Sequence, residues 1–168
     1  MTEPASRSRR AAVFLARLLG LLTLAAVCGA TANLVHPRRI AWVEDWSRYI
    51  EARALAAGIK LADTVEARRI AQARSHLILD ARPAKDYAGG HLPGAISLPL
   101  DDYDNVFPHV VILLMTGQPV MTYCSGLVCD ESFLLTRRLL EQGFTNVVLY
   151  GGGFEEWTAA GFEVEGRP

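Results

Sequence analysis

The sequence predicts an α/β domain with a parallel β-sheet, preceded by one long apolar helix. Short apolar segments bounded by Gly or Pro alternate with segments whose apolar residues recur at helical spacing, which is typical of a sheet with helices on both faces. The chain has 168 residues, enough for one ordinary domain and one small additional segment. Because apolar residues are in excess near the N-terminus, we predict that this additional segment is a helix outside the domain.

Residues 11–35 are apolar apart from Arg17, and the uncharged part of this stretch is long enough for a membrane-spanning helix. We predict a basic cytoplasmic tail at residues 1–10 and a transmembrane or signal-anchor helix at residues 11–35. More arginines precede the span than follow it, which favours a cytoplasmic N-terminus and an exported domain. The alternatives are cleavage near Ala32, where small residues resemble a signal-peptidase site, and a buried helix of a soluble domain.

The remaining elements follow from local signals. Residues 36–58 are predicted to be a juxtamembrane connector with a short amphipathic helix that ends at Gly58. Asp63 begins a capping-box pattern and predicts a helix that ends near Ala73. The other helices are predicted at 84–87, 105–115, 130–143 and 155–160. Apolar segments predict five strands, at 59–61, 77–81, 96–98, 118–123 and 147–150.

Composition and motif spacing argue against several classes of function. The formal net charge of −1 gives no reason to expect nucleic-acid binding. Three cysteines are too few for a disulfide framework, and no cluster of His and Cys has the spacing of a zinc site, so we expect no metal. The glycine run at 151–153 lacks the spacing of a dinucleotide-binding motif, and we expect no cofactor.

Cys124 is the candidate nucleophile. It follows the predicted strand 118–123 and begins a loop that leads to the N-terminus of the predicted helix 130–143. Because backbone N–H groups converge at such a place and the helix dipole is positive there, the thiolate, which is the nucleophilic form of cysteine, is favoured. The alternative is a small buried cysteine that packs as an apolar residue.

Four segments of the chain together resemble one family. They are Leu79-Asp80-Ala81-Arg82 with Asp86-Tyr87, then Gly90-His91-Leu92-Pro93-Gly94-Ala95-Ile96, then Tyr123-Cys124, then Tyr150-Gly151-Gly152-Gly153-Phe154-Glu155-Glu156-Trp157. On these segments the chain from about Ile59 to Glu163 resembles a single rhodanese-like domain. The resemblance implies a domain at residues 59–168 with a five-stranded parallel sheet and helices on both faces. It also implies that Cys124 carries a persulfide sulfur between a donor and an acceptor.

The loop has the form Cys-x4-Cys-Asp-x-Ser, which resembles a variant of rhodanese-like proteins with N-terminal membrane anchors in bacteria. The resemblance implies a single-pass protein of the bacterial inner membrane with its domain on the periplasmic side. Disulfides persist in that location. Cys129 is then a possible resolving thiol, which attacks a persulfide or sulfenate on Cys124 and forms a disulfide. The alternative is that Cys129 is a packed loop residue in place of the usual Arg or Thr.

The loop departs from the pattern of active rhodaneses, in which an Arg follows the cysteine and the loop ends in Arg or Thr. Ser125 stands at the first of these positions and Cys129 at the last, so the loop contains no cation. Thiosulfate is a dianion, and this loop cannot give it the charge-assisted hydrogen bonds of Arg, which are worth about 1.5–3 kcal/mol each. Thiosulfate:cyanide transfer is therefore in doubt. Asp130 occupies the position where related phosphatases need an Arg, which argues against phosphatase activity.

Further residues are predicted to support Cys124. The predicted active-site loop also contains Ser125, Gly126, Leu127, Val128, Asp130 and Ser132. Asp80 and Arg82 are expected to hold the segment after their strand through an ion pair or hydrogen bonds. His91 is expected to lie in a hydrogen-bonded turn, with general-base catalysis as the alternative.

We therefore expect a membrane-tethered rhodanese-like sulfurtransferase or sulfur carrier. Its partner is a small sulfur donor or acceptor, or a protein thiol. Two alternatives remain open: a thiol-disulfide redox module that uses Cys124 and Cys129, and a non-catalytic rhodanese-fold domain that binds a partner at the membrane. The sequence identifies neither the partner nor the oligomeric state.

Overall fold

The computed structural model describes residues 4–36 and 48–166. The chain divides into two compact units, Met1–Glu44 and Asp45–Pro168. Predictions for the first three residues of the tail, for residues 37–47 of the connector and for residues 167–168 lie outside the described residues.

The first unit contains helix α1, Pro4–Val35, which begins within the stretch predicted as the basic tail. Its segment Arg9–Val35 has 27 residues and a mean hydropathy of 2.2, and is therefore long and apolar enough to cross a membrane. The large apolar side chains of this segment are exposed rather than packed in a core. A signal sequence has the same properties, so α1 is a candidate for either a membrane anchor or a signal sequence.

The second unit is built on a five-stranded sheet in which all neighbouring strands are parallel. The strands are β1 (Lys60–Ala62), β2 (Leu77–Asp80), β3 (Ala95–Ser97), β4 (Val120–Tyr123) and β5 (Val147–Tyr150). Their order is β1-β5-β4-β2-β3, so β4 is the central strand. All four residues of β4 are buried, as expected for a parallel strand covered on both faces. The predicted five-stranded parallel sheet is confirmed.

Helices cover both faces of this sheet: α2 (Tyr49–Ala56), α3 (Thr64–Ala73), α4 (Ala84–Ala88), α5 (Tyr103–Leu114), α6 (Glu131–Glu141) and α7 (Gly153–Ala159). On one face, Ile70 of α3 and Trp157 of α7 share a buried cluster with Met121 of β4. On the other face, Leu135 of α6 shares a buried cluster with Leu79 of β2. Because successive strand residues point to opposite faces, Ile78 of β2 belongs to the first cluster and Leu79 to the second.

The short helix predicted within the connector is α2, and it belongs to the folded unit. Ile50 and Ala54 are fully buried and share a cluster with Phe133 of α6 and Leu149 of β5. Ile50 and Ala54 are four residues apart, so they lie on the same face of the helix. The folded unit therefore begins before residue 59, where the sequence reasoning placed the start of the domain.

The boundaries of the other elements agree with the predicted ones to within about two residues, the usual uncertainty of helix ends. Asp63 caps α3 as predicted, since its carboxylate accepts a hydrogen bond from the Glu66 N–H at 2.8 Å. Helix α5 begins earlier than predicted because a 3₁₀ turn, Leu100–Asp102, leads directly into it.

Candidate functional site

Cys124 lies at the C-terminal end of the central strand. Strand β4 ends at Tyr123, and a loop of residues 124–130 connects it to α6, which begins at Glu131. The side chain of Cys124 is buried, with 2% of the residue exposed. In open α/β sheets, ligands bind outside the carboxyl ends of the strands. The predicted placement of Cys124 between a buried strand and a helix is therefore confirmed.

A disulfide joins Cys124 to Cys129, with the two Cα atoms 6.2 Å apart. This separation lies within the range that disulfides require. Cys129 is partly exposed whereas Cys124 is buried. An external thiol therefore reaches the Cys129 sulfur more readily than the Cys124 sulfur.

The start of α7 holds the first part of the loop. The Phe154 N–H donates to the Cys124 carbonyl at 2.9 Å, and the Glu155 N–H donates to the Ser125 carbonyl at 2.8 Å. Gly153 has a φ of +61°, and a Cβ added there would lie 2.5 Å from the Cys124 carbonyl oxygen. Glycine is therefore needed at position 153, because the backbone there passes directly against the cysteine loop.

Helix α2 holds the second part of the loop. The Ile50 N–H donates to the Leu127 carbonyl at 3.1 Å. The Arg53 guanidinium donates to the Asp130 carboxylate and lies 4.3 Å from the centroid of the Phe133 ring. Helix α2 thus contacts the cysteine loop directly. Sequence reasoning missed this contact, because nothing in the local sequence of α2 indicates its partner.

The backbone N–H groups of the loop differ in their hydrogen bonding. The Cys129 N–H donates to the Gly126 carbonyl at 3.1 Å, which closes a turn. Within residues 48–166, the N–H groups of residues 125–128 have no hydrogen-bond acceptor. The loop thus has four unpaired amides next to Cys124 in the chain, whereas the amide of Cys129 is engaged in the turn.

Carboxylates surround this loop. Glu131 Oε2 lies 2.7 Å from Cys129 Sγ and 3.5 Å from Cys124 Sγ. The side chain of Glu155 lies over Gly126, so close that a Cβ on this glycine would be 2.5 Å from Glu155 Oε2. In the sequence, Glu131 lies in the first turn of the predicted helix 130–143, two residues after Cys129. Its closeness to Cys129 in sequence was the available signal that it could contact this sulfur. The direction of its side chain, however, follows from the bend of the loop.

Cys124, Cys129 and Glu131 also form a possible metal-ligand set, since their donor atoms lie within 4.8 Å of one another. While the disulfide is formed, however, neither sulfur is a thiolate, which is the form that binds metals. In the oxidised loop, the Glu131 carboxylate is the one member of this set that could bind a metal ion. The expectation that the protein needs no metal stays a prediction.

Asp80 and Arg82 form a buried ion pair beside the central strand, as predicted. Arg82 Nη2 donates to Asp80 Oδ2 at 2.6 Å and to the Gly90 carbonyl at 2.7 Å. The Tyr123 hydroxyl also donates to Asp80, and it accepts a hydrogen bond from the Leu92 N–H. Burial raises the pKa of Tyr123, and the neighbouring carboxylate of Asp80 raises it further. This network ties the residue before Cys124 to the turn at residues 90–92.

His91 forms an isolated antiparallel bridge with Glu165, whereas its sequence context predicts a hydrogen-bonded turn. Its Nδ1 lies 3.0 Å from the Tyr87 carbonyl oxygen, and its ring stacks on the Tyr87 ring with 3.9 Å between centroids. Its backbone pairs with Glu165 through two hydrogen bonds of 2.9 Å. These contacts support a structural role for His91.

The remaining predicted loop residues differ in exposure. Ser132 is buried in the first turn of α6, whereas Val128 is 72% exposed at the tip of the loop. A surface groove beside the loop is lined by Leu127, Val128, Gly152, Glu155, Glu156 and Ala159. The groove combines apolar side chains with two carboxylates and lies next to the partly exposed Cys129.

A family model for the rhodanese-like domain matches residues 62–160. One curated relative is the HTH-type transcriptional regulator Rv0324 of Mycobacterium tuberculosis, which is 31% identical over 93 residues, covering 54% of this chain and 38% of that protein. Another is the adenylyltransferase and sulfurtransferase UBA4 of Meyerozyma guilliermondii, which is 29% identical over 86 residues, covering 49% of this chain and 20% of that protein. The chain thus spans well under two thirds of the length of these relatives.

Among solved structures, the fold is similar to that of the thiosulfate sulfurtransferase from Pseudomonas aeruginosa. The TM-score is 0.58 and the sequence identity is 27%, over 71% of this chain and 22% of that chain. This similarity agrees with the architecture described above.

Proposed function

The chain belongs to the rhodanese-like domain family, and from this premise we propose that it is a sulfurtransferase or sulfur carrier in which Cys124 forms a persulfide and Cys129 resolves it. The observation that carries the proposal is the disulfide between these cysteines. Resolution by Cys129 must produce this bond, and the loop accommodates it. Sulfurtransferases among the similar proteins support the same class of chemistry.

The proposed first step is sulfur transfer to Cys124. The Cys124 thiolate attacks the outer sulfur of a persulfide donor, the donor's sulfur–sulfur bond breaks, and the donor leaves as a thiolate. The free N–H groups of residues 125–128 stabilise the negative charge on the sulfur before and after the attack. Burial of Cys124 keeps bulk water away from the persulfide.

The charges around the loop favour donors other than thiosulfate. The nearby cation Arg53 is paired with Asp130, and Arg82 is buried in its pair with Asp80. Two further carboxylates, of Glu131 and Glu155, lie against the loop. A dianion in this position would meet negative charge without an unpaired cation from these residues. We infer that the donor is a persulfide or polysulfide, and that the groove beside Val128 receives a thiol of a protein acceptor.

The domain is proposed to act while tethered to the bacterial inner membrane by α1, on the periplasmic side. The support is the length and apolar character of Arg9–Val35, together with the arginines that precede it. Oxidising conditions on that side allow the disulfide to persist between cycles. Release by cleavage near Ala32 is the alternative outcome, and the N-terminal sequence of the protein from membranes distinguishes the two.

The test is intact-mass analysis of the full chain, reduced in detergent and then incubated with polysulfide, glutathione persulfide or thiosulfate. Cys28 is replaced by Ala throughout, because it is an exposed free cysteine on α1. We expect a gain of one sulfur from the persulfide donors that accumulates in Cys129→Ser, a transient gain that ends in the disulfide in the parent, and no gain in Cys124→Ser. No gain with any donor, or an unchanged gain in Cys124→Ser, overturns the proposal.

The disulfide also favours a second candidate, a thiol-disulfide module in which Cys124 and Cys129 exchange electrons with a partner dithiol. This candidate predicts that the reduced protein loses two hydrogens on mild oxidation and gains no sulfur. Alkylation followed by mass spectrometry measures both changes in one sample. If the protein shows neither change, the remaining interpretation is a non-catalytic domain that binds a partner.

A further inference from the structure

Glu131 presents a carboxylate to both sulfurs of the loop. Its Oε2 lies 2.7 Å from Cys129 Sγ and 3.5 Å from Cys124 Sγ. Within residues 48–166 this carboxylate forms no ion pair, whereas the adjacent Asp130 is paired with Arg53. A general base must be within hydrogen-bond reach of the proton that it accepts. Glu131 meets this condition for the thiol of Cys129.

The helix itself does not account for this position of Glu131. An acidic residue in the first turn usually faces the free N–H groups of the helix, where the dipole stabilises it. The N-terminus of α6 has no side-chain cap hydrogen bond, and the carboxylate of its first residue is directed to the sulfurs instead. The contact with Cys129 is therefore the specific interaction of this side chain.

We propose that Glu131 is the catalytic base of the resolving step, accepting the proton of the Cys129 thiol as that sulfur attacks Cys124. The inference rests on the proposed function, in which Cys124 carries a persulfide. The Cys129 sulfur forms a bond to Cys124 Sγ, and the bond between Cys124 Sγ and the outer sulfur breaks. The outer sulfur, which carries its own proton in the reacting form of the persulfide, leaves with the electron pair as hydrosulfide. It is reduced, the two cysteine sulfurs are oxidised to the disulfide, and the proton stays on Glu131.

Glu131 then returns the proton when an external dithiol reduces the disulfide. The first thiolate of the dithiol attacks the more exposed sulfur, Cys129, and Cys124 leaves as a thiolate beside the free amides of the loop. The second thiol of the reductant loses its proton to solvent, closes the reductant's own disulfide and releases Cys129 as a thiolate. Cys129 takes the proton from Glu131, and the reductant is oxidised by two electrons. The loop is then ready for the next sulfur.

A carboxylate that merely lies near the thiol would have the opposite effect on the rate. Its negative charge disfavours a neighbouring thiolate, so its removal would increase the fraction of thiolate and speed disulfide closure. Removal of a base slows closure, by about 10²-fold or more. Replacement of Glu131 by its neutral isostere therefore gives rate changes of opposite sign for a base and for a bystander.

The experiment measures the rate of formation of the Cys124–Cys129 disulfide in the full chain in detergent, in the Cys28→Ala background. The reduced protein is loaded with polysulfide, the excess is removed, and hydrosulfide release and loss of free thiol are followed from about pH 6 to about pH 8. We expect Glu131→Gln to slow both by about 10²-fold near neutral pH and to make the rate rise steeply with pH, because hydroxide must then remove the proton. Glu131→Asp should recover part of the loss. Glu141→Gln, which removes a carboxylate at the other end of α6, should match the parent.

A second measurement separates failure of this inference from failure of the proposed function. Oxidised glutathione replaces the sulfur donor, and closure of the loop then displaces glutathione instead of hydrosulfide. If the protein takes up no sulfur, the proposed sulfur-carrier function is wrong. If disulfide closure with glutathione is nevertheless slower in Glu131→Gln than in the parent, the role of Glu131 as the base is retained. Faster or unchanged closure in Glu131→Gln, with the pH profile of the parent, overturns the role of Glu131 in either chemistry.

Discussion

Two carboxylates near the same edge of the sheet have opposite surroundings. Asp80 is fully buried, and it is matched by Arg82, which is itself buried, and by the Tyr123 hydroxyl. Glu131 is partly exposed, contacts the sulfur of Cys129, and has no ion pair within residues 48–166. A carboxylate with a full set of buried partners stabilises the fold, whereas one that lacks a cation and lies against a reactive atom is available for proton transfer.

We expect the largest effect on the free energy of unfolding when Asp80, the buried carboxylate, loses its charge. Asp80→Asn leaves the Arg82 guanidinium buried without its counter-ion, and breaking a buried pair in this way costs about 3–5 kcal/mol. Urea denaturation of the full chain in detergent measures the free energy of unfolding. The matched control, Glu131→Gln, should change it by less than about 1 kcal/mol. Equal losses in the two variants would contradict the assignment of Asp80 to the fold and Glu131 to the site.

The second prediction adds the cation that the loop lacks. Ser125→Arg introduces a guanidinium beside Cys124, and a charge-assisted hydrogen bond to thiosulfate is worth about 1.5–3 kcal/mol. Sulfur loading from thiosulfate should therefore become about 10- to 100-fold faster, while loading from polysulfide changes less. Intact-mass kinetics measure both donors. Ser125→Gln, which adds length without charge, is the control, and an equal gain in that variant would show that charge is not the limiting factor.

The third prediction concerns alkaline pH and the network around Asp80. Burial raises the pKa of Tyr123, and burial also raises the pKa of Tyr150 to about 12. The unfolded chain loses these protons near pH 10, while the folded chain keeps them. Stability is therefore fully present below about pH 10 and falls above it, by up to about 1.4 kcal/mol per pH unit for each such tyrosine.

Urea denaturation at about pH 8 and about pH 11 measures this decline. In Tyr123→Phe the free energy of unfolding is lower at neutral pH, because the hydrogen bonds to Asp80 and Leu92 are lost. The decline between the two pH values should be shallower, since one titrating group is gone. A decline as steep as in the parent would mean that Tyr123 does not hold its proton in the folded state.

The smallest effect is expected at the contact between α2 and the loop. Arg53 and Asp130 are both partly exposed, so Arg53→Gln should lower the free energy of unfolding by less than about 1 kcal/mol. Reduction of the disulfide by a dithiol should nevertheless become faster, because one of the contacts that hold the loop is removed. Arg137→Gln, which breaks an exposed pair with Glu141 on α6, is the control. The same reduction rate in both variants would argue against a role for α2 in holding the loop.

The sequence predicted much of the fold and part of the site. The alternation of apolar segments with helical patterns was sufficient to predict the parallel sheet. Strands that are buried on both faces, such as Val120–Tyr123, are recognisable as short, mostly apolar runs. The cap at Asp63 is local as well, and it was predicted correctly. The placement of Cys124 after the central strand followed from the order of these elements. Its catalytic role stays a prediction, as do the roles of Cys129 and of the other loop residues.

What the sequence by itself determined is the order and type of the elements, since hydrophobic periodicity, caps and glycines act within a few residues of one another. Only the tertiary structure decided what surrounds the cysteines. The contacts of Glu131 with the sulfurs, of Glu155 with Gly126, and of α2 with the loop depend on where distant segments meet and how the loop bends. Such contacts are set by packing of the whole domain, and no periodicity or spacing in the sequence encodes the direction of a single side chain.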